Sequence, residues 1–476
     1  MARSLRRHSI AWLMLASSAT LALGCSEDPP STVERRWLAG DSHIHSHWSP
    51  NDGLYPTSLN ARMARRYGLQ WMVTTDHGGP DHAKLNLTQA YEELKQSRQL
   101  VPEVLQFYGM ELNMPGMDHH TLIIPHADDE RSVLFDIESR FDANEVSPPD
   151  PARDTESARL GALDHMNALS RLPILFANHP SRSATGIGEY GQVEPQELRT
   201  SNDRAPDVYR GMEGAPGHQA ATLAPDGTPR RDESGNLSGF RGFYRNPGAQ
   251  TLGGFDQMTA IVGGVWDSLL GEGRRFWIVA TSDSHRHYTG AEADRPGVDF
   301  WPGEYQKTYV HAGQTYEDVL DGLRSGRIFA VTGDLVTELD VIGEAAGQIA
   351  EAGGTLRVAL HESVDITIRF LDPDTTNEHG DNPKVSRVDL ILGEVRAPGS
   401  DRHETTRVVA RFSEREWTRE GDRYHISTVL PTIDSNVYIR VRGTSTQEAE
   451  PQMDEAGEDP WTDLWFYSNP IFIEVE

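Results

Sequence analysis

Apolar residues in the first two thirds of the chain fall into short solid runs separated by stretches of helical spacing. The run WLAG rises into DSHIH and predicts a strand ending at residues 41–45. Further solid runs at 69–75, 104–110, 119–124, 172–178, 276–282 and 327–331 predict buried strands, because strands covered on both faces lose the period-2 alternation. Between them, 56–68 carries Leu59, Met63 and Tyr67 at helical spacing, and 81–100, 161–171 and 315–326 also read as helices. Strands alternating with helices predict a parallel sheet or barrel. Residues 126–160 are acidic and contain prolines, and predict an insertion with one or two surface helices. Residues 185–255 are rich in Gly, Pro and Asp and predict long loops of the kind that carry function. From about Leu335 the pattern switches to short alternating runs, at 355–360, 366–370 and 437–441, separated by Gly, Asp and Pro turns. That pattern predicts an antiparallel β-sandwich. The acidic loop 448–459 reads as a solvated surface loop.

Length and charge narrow the picture. At 476 residues the chain exceeds a single core, and its 37% hydrophobic and 24% charged content is that of a globular protein. A formal net charge of −28 repels phosphate backbones and anionic membrane surfaces. It argues against a nucleic-acid partner and leaves small-molecule substrates open. The first residues form a secretory signal: Arg3, Arg6 and Arg7 precede a short apolar stretch at 10–23. The stretch ends Leu21-Ala22-Leu23-Gly24-Cys25, which resembles the bacterial lipoprotein cleavage box. The resemblance implies lipidation of Cys25, the only cysteine in the chain, and a lipid anchor in the cell envelope as the sole membrane contact. By the same resemblance, Ser26 in place of Asp after that cysteine implies the outer membrane. The expected organisation is signal 1–24, flexible tether 25–36, catalytic barrel 37–335 and β-sandwich 336–476.

The candidate chemistry lies at the strand ends. His43 and His45, two apart on a strand, aim two imidazoles at one point, an arrangement that suits a divalent transition metal. Asp76-His77, Glu111, His179, and Asp283 with His285 end four more of the predicted strands. In β/α barrels functional groups gather at the one rim where strands give way to loops.

These elements together resemble the PHP (polymerase and histidinol phosphatase) superfamily of metal-dependent hydrolases. The matching stretches are His43-Ile44-His45 with the trailing Ser46, Ser49, Asp52 and Gly53, then Thr75-Asp76-His77, Glu111, and His119 before an apolar strand. Ala177-Asn178-His179-Pro180 and Ser282-Asp283-Ser284-His285 complete the set. The segments 321–333 and 465–471 resemble the carbaryl-hydrolase-like branch, whose members carry a β-sandwich after the barrel. The resemblance implies a distorted (β/α)7 barrel holding two or three divalent ions, Zn, Mn or Fe. It would place His43, His45, Glu111 and Asp283 around one ion, Glu111 with His119 and His179 around a second, and Asp52, His77 and His285 around a third. His119 and His120 are adjacent; the spacing to Thr121-Leu122-Ile123 matches the family better with His119 as the ligand, and strand parity would allow the reverse. Arg182, Arg286 and His287 are candidates to stabilise developing charge, and Arg182 and His287 are the catalytic candidates among them. Asp41 and Asp76 are candidates to orient the ligand imidazoles. The implied activity is phosphoester hydrolysis. The alternatives are carbamate, ester or amide hydrolysis and a non-catalytic binding lipoprotein.

Overall fold

The computed structural model describes residues 34–50, 52–239, 249–287, 297–397 and 399–476. The expected signal segment 1–24 and Cys25 lie outside the described residues. Residues 35–476 form one compact unit. No helix among the described residues is long and apolar enough to cross a membrane.

The solid apolar runs become strands. They are β1 (Arg36–Ile44), β2 (Trp71–Thr74), β3 (Leu105–Asn113), β4 (His119–Ile124), β5 (Ile174–Ala177), β6 (Tyr209–Ala215), β7 (Trp277–Ala280), β8 (Gln306–Ala312) and β9 (Ile328–Thr332). They lie side by side in the order β9-β8-β1-β2-β3-β4-β5-β6-β7. The row is mixed, not parallel. β1, β2 and β3 are parallel, as are β5, β6 and β7, but β4 runs against both its neighbours. The connection from β3 to β4 spans only residues 114–118, too short for the crossover that a parallel pair needs. A parallel bridge joins Ile44 to Ser284, and His45 N donates to Ser284 O at 2.9 Å. The chain just past β7 thereby returns to the end of β1, and the strand ends converge.

Two strands lie where the apolar pattern is faint. β6, YRGMEGA, falls inside the expected long loops, and the capped helix Pro195–Arg204 precedes it. Its glycines hide it. A Cβ on Gly211 would lie 1.9 Å from Trp277 O, so close strand packing demands glycine where a strand former would otherwise advertise itself. β8 is polar along much of its length and runs antiparallel to both β1 and β9.

The later strands are β10 (Glu338–Ala345), β11 (Gln348–Glu351), β12 (Thr355–Val358), β13 (Val364–Leu371), β14 (Arg387–Glu394), β15 (Arg407–Phe412), β16 (Thr418–Glu420), β17 (Arg423–Leu430), β18 (Val437–Thr444), β19 (Trp465–Ser468) and β20 (Ile471–Val475). Five of them form a separate sheet, β11-β10-β13-β17-β16. The rest extend the large sheet, because β19 pairs antiparallel with β9. Val364, Ile366, Ile368 and Phe370 from the separate sheet share one apolar cluster with Leu390, Val441 and Ile473 from the large one. The side chain of Asn469 bonds backbone at Ile278 N (3.0 Å), Ile278 O (3.1 Å) and Ile328 O (3.2 Å), which ties the connection between β19 and β20 to β7 and β9. Asp454, in the loop expected to be solvated, is instead buried and accepts from Thr251 Oγ1, Gly253 N and Gly254 N. The three donors replace the water that a buried carboxylate gives up.

Candidate metal centre

Glu111, at the end of β3, is the hub. Five imidazoles surround its buried carboxylate: His77 Nδ1 at 2.9 Å, His119 Nδ1 at 3.0 Å, His179 Nε2 at 3.1 Å, His43 Nε2 at 3.3 Å and His45 Nε2 at 3.4 Å. Asp283 Oδ1 lies 3.1 Å from Nε2 of both His43 and His45. Asp52 Oδ2 lies 3.1 Å from His285 Nε2 and 3.2 Å from His77 Nε2. Every side chain that the sequence nominates as a ligand therefore meets in one cluster. His120 does not join it. Its Nδ1 donates to Asp118 O (3.0 Å) and its Nε2 accepts from Tyr209 OH (2.8 Å), so β4 turns His119 and not His120 toward Glu111.

The cluster fits divalent cations. Two atoms each bound to one ion at about 2.1 Å stand roughly 3.0–3.4 Å apart in octahedral or tetrahedral geometry. The nitrogen–oxygen separations above, 3.0–3.4 Å for all but His77–Glu111 at 2.9 Å, match that edge length. His43 Nε2 and His45 Nε2 face each other at 3.0 Å, two lone-pair atoms that a shared cation reconciles. Buried Glu111 Oε2 and His119 Nδ1 make no hydrogen bond despite these neighbours, as expected of atoms aimed at an ion. Imidazole and carboxylate atoms of ligating type lie close together in overlapping groups: His43, His45, Glu111 and Asp283; His45, His77 and His285; and His77, Glu111 and His119, with His218 beside Asp283 and His285.

The electrostatics agree. Burial opposes charge on Glu111, but His119, His77 and His43 outweigh it and hold the carboxyl well below the usual range. Burial likewise opposes charge on His43, yet Asp283, Glu111 and Glu213 hold its imidazole well above the usual value. His77 is raised to about 9 against burial, by Glu111 and Asp52. His45, buried and beside His285 and His77, is pushed down to about 3. The pocket draws in positive charge, which protons supply when cations do not.

Exposure marks the open side. The side chains of Asp52 (40%), Arg182 (36%), His119 (19%) and His77 (16%) reach solvent, whereas the other ligand candidates are at most 9% exposed. Arg182 stands at this mouth, fixed bidentate by Asp118 (2.8 and 2.6 Å). Arg286 donates to the carbonyl of Asp52 at 3.2 Å. His287 is buried between Tyr55 and Trp301 and bonded to Ser284 Oγ (2.8 Å). Burial pushes its imidazole down to about 3, so it is neutral.

Asp41 and Asp76 bind other groups than expected. Asp41 accepts from His43 N (3.0 Å) and Ser282 N (3.3 Å), and Asp76 from Ser46 N (2.5 Å) and Ser46 Oγ (2.7 Å). They hold backbone and hydroxyl, not imidazole. The groups that hold the imidazoles are Glu213, 2.6 Å from His43 Nδ1, and Ser49, 3.1 Å from His45 Nδ1. Glu213 escapes sequence reading because β6 does. His218 and Asp299 escape too. The available signal for His218 is its place just past a strand, as with His179.

His179, His218 and Asp283 all adopt the left-handed region, with φ of 29°, 66° and 47°. Non-glycine residues held there concentrate at functional sites.

No family model matches the sequence, and no curated protein matches it. Two solved structures are similar to part of the chain. The lesion-specific endonuclease Q from Pyrococcus furiosus is 17% identical over 40% of this chain and 45% of that chain, with a TM-score of 0.25. Endonuclease Q in complex with a 27-mer duplex bearing an abasic lesion at the active site is 14% identical over 40% of this chain and 47% of that chain, with a TM-score of 0.23. The chain spans less than half the length of either.

Proposed function

We propose that the chain is a metal-dependent hydrolase of the PHP type, acting on small phosphoesters. The observation that supports it most is the single buried carboxylate of Glu111 within 3.4 Å of five imidazole nitrogens. His43, His45, Asp52, His77, Glu111, His119, His179, Asp283 and His285 are the proposed ligands. Divalent ions held there supply Lewis acidity, which activates water near neutral pH and polarises a phosphoryl oxygen. The chain's own part is placement. Glu213 and Ser49 fix the Nδ1 side of His43 and His45, so that Nε2 of each faces the cluster. Asp118 holds the Arg182 guanidinium at the mouth, where it would stabilise charge developing on a substrate anion. A guanidinium planted on the exposed side favours phosphoryl over uncharged carbamate substrates. The net charge of −28 favours small substrates over a duplex. We also propose that Cys25 carries a lipid that holds the protein in the cell envelope. Detergent partitioning of the wild type, lost in Cys25→Ala, is the expected outcome.

Elemental analysis of gently purified protein is expected to find about two to three Zn, Mn or Fe ions per chain. A panel of aryl phosphodiester, phosphomonoester and carbamate substrates, with each metal added back, is expected to show turnover of a phosphoester. His43→Ala should abolish that turnover. Metal-free protein with no metal-stimulated rate, or full activity in His43→Ala, would overturn the proposal.

A further inference from the structure

Asp283 presents its two oxygens to different partners. Oδ1 lies 3.1 Å from both His43 and His45. Oδ2 lies 2.6 Å from His218 Nε2, and His218 Nδ1 lies 2.7 Å from Asp299 Oδ1. The other oxygen of Asp299 accepts from the backbone N–H of His285 (2.6 Å) and of Arg286 (2.9 Å). One continuous chain of contacts thus runs from Asp283 through His218 and Asp299 to the backbone of His285. Asp283 and Asp299 are buried.

The spacings separate this imidazole from those around Glu111. Atoms that share an ion stand roughly 3.0–3.4 Å apart, whereas His218 lies at 2.6 and 2.7 Å from its two carboxylates. The 2.6 Å contact to Asp283 is a charge-assisted hydrogen bond that matches the 2.6 Å from His43 Nδ1 to Glu213, and the 2.7 Å contact to Asp299 is an ion pair. Both ends of the His218–Asp283 contact rest on backbone in the left-handed region, φ 66° and 47°, a conformation that the surrounding contacts must hold in place.

We propose that His218 and Asp299 act as a positioning pair that fixes Asp283 so that it turns one oxygen, Oδ1, into the metal centre. The inference rests on the metallohydrolase reading and assigns these residues a task within it. A carboxylate can ligate through one oxygen or two. With Oδ2 engaged by His218, Asp283 offers one. Without that imidazole the side chain can rotate, and the spacing around His43 and His45 is no longer enforced. His218 and Asp299 act through Asp283 and His285 and are not themselves ligands or catalytic groups.

The test uses the full chain carrying His218→Gln, Asp299→Asn, or both. Zn affinity is read by competition against a chromophoric chelator, and Co(II) substitution gives the visible absorption of the centre. Each single variant should bind Zn about 10–100-fold more weakly with an altered Co(II) spectrum. The double variant should be no worse than the weaker single one, because both residues act through one chain of contacts. Should His218→Gln fail to fold, the isosteric Asp299→Asn carries the same expectation alone. Wild-type affinity and spectrum in the variants, or losses that add in the double variant, would overturn the pairing while leaving the hydrolase reading intact. A wild-type chain that takes up no metal would overturn that reading and the pairing with it.

Discussion

Glu213 receives three donors on one buried carboxylate: His43 Nδ1 at 2.6 Å, the backbone N–H of His179 at 2.6 Å and Thr281 Oγ1 at 2.8 Å. It thereby sets the rotamer of one proposed ligand and the backbone of another. Glu213→Gln replaces one acceptor with a donor that faces donors. We expect metal affinity to fall about 10–100-fold, measured by chelator competition, with the fold retained by circular dichroism. At this scale the residues legible in the sequence are those at the ends of solid apolar runs. His43, His77, Glu111 and Asp283 announce themselves because a charged or imidazole group breaks an otherwise apolar strand. Glu213 and His218 do not, because the glycines around them erase the strand that would frame them. Strand parity alone does not distinguish His119 from His120 either. The pairing of β4 with β3 and β5 decides that, and pairing is a long-range property.

At the scale of elements, the wall beside the centre is held by polar pairs as well as apolar packing. His82, on the short helix His82–Leu85, lies 2.6 Å from Glu138 on the helix Glu130–Phe141, and its Nε2 lies 3.1 Å from Trp48 O. Burial opposes charge on this imidazole, but Glu138 outweighs it and raises the pKa above 6.5. The folded state therefore holds the proton more tightly than the unfolded chain. The contribution to stability is fully present below about pH 6.5 and is lost as the pH rises through the folded value. His82→Gln should cost about 2 kcal/mol near pH 6, and the deficit should shrink on the alkaline side. Denaturant midpoints of both proteins at about pH 6 and about pH 9 check this; an undiminished gap would contradict it. Elements with plain periodicity were legible: the helix Tyr316–Ser325 and strands β2, β3, β5 and β7 sit where the pattern puts them. The reversal of β4 was not, because the length of a connection constrains strand direction only once both strands are known.

At the scale of the whole molecule, the change of texture near Leu335 marks where helices stop alternating with strands, not where the sheet stops. β19 continues the sheet from β9, and the Asn469 side chain satisfies three backbone groups on β7 and β9. Asn469→Ala would leave buried amide and carbonyl groups without partners, at about 1–3 kcal/mol each. The expected result is a lower thermal midpoint together with weaker metal retention, since β7 leads directly into Asp283. A variant with an unchanged midpoint would show that those groups find other partners.

The position of Asn469 also sets an order of events during synthesis. Residues 43–285 leave the ribosome long before residue 469 does. The strands bearing the metal ligands must then wait, with the backbone of Ile278 and Ile328 unpartnered, until residue 469 has been made. A message cut short before residue 469 would yield a product that has every proposed ligand and lacks the side chain that closes the wall behind them.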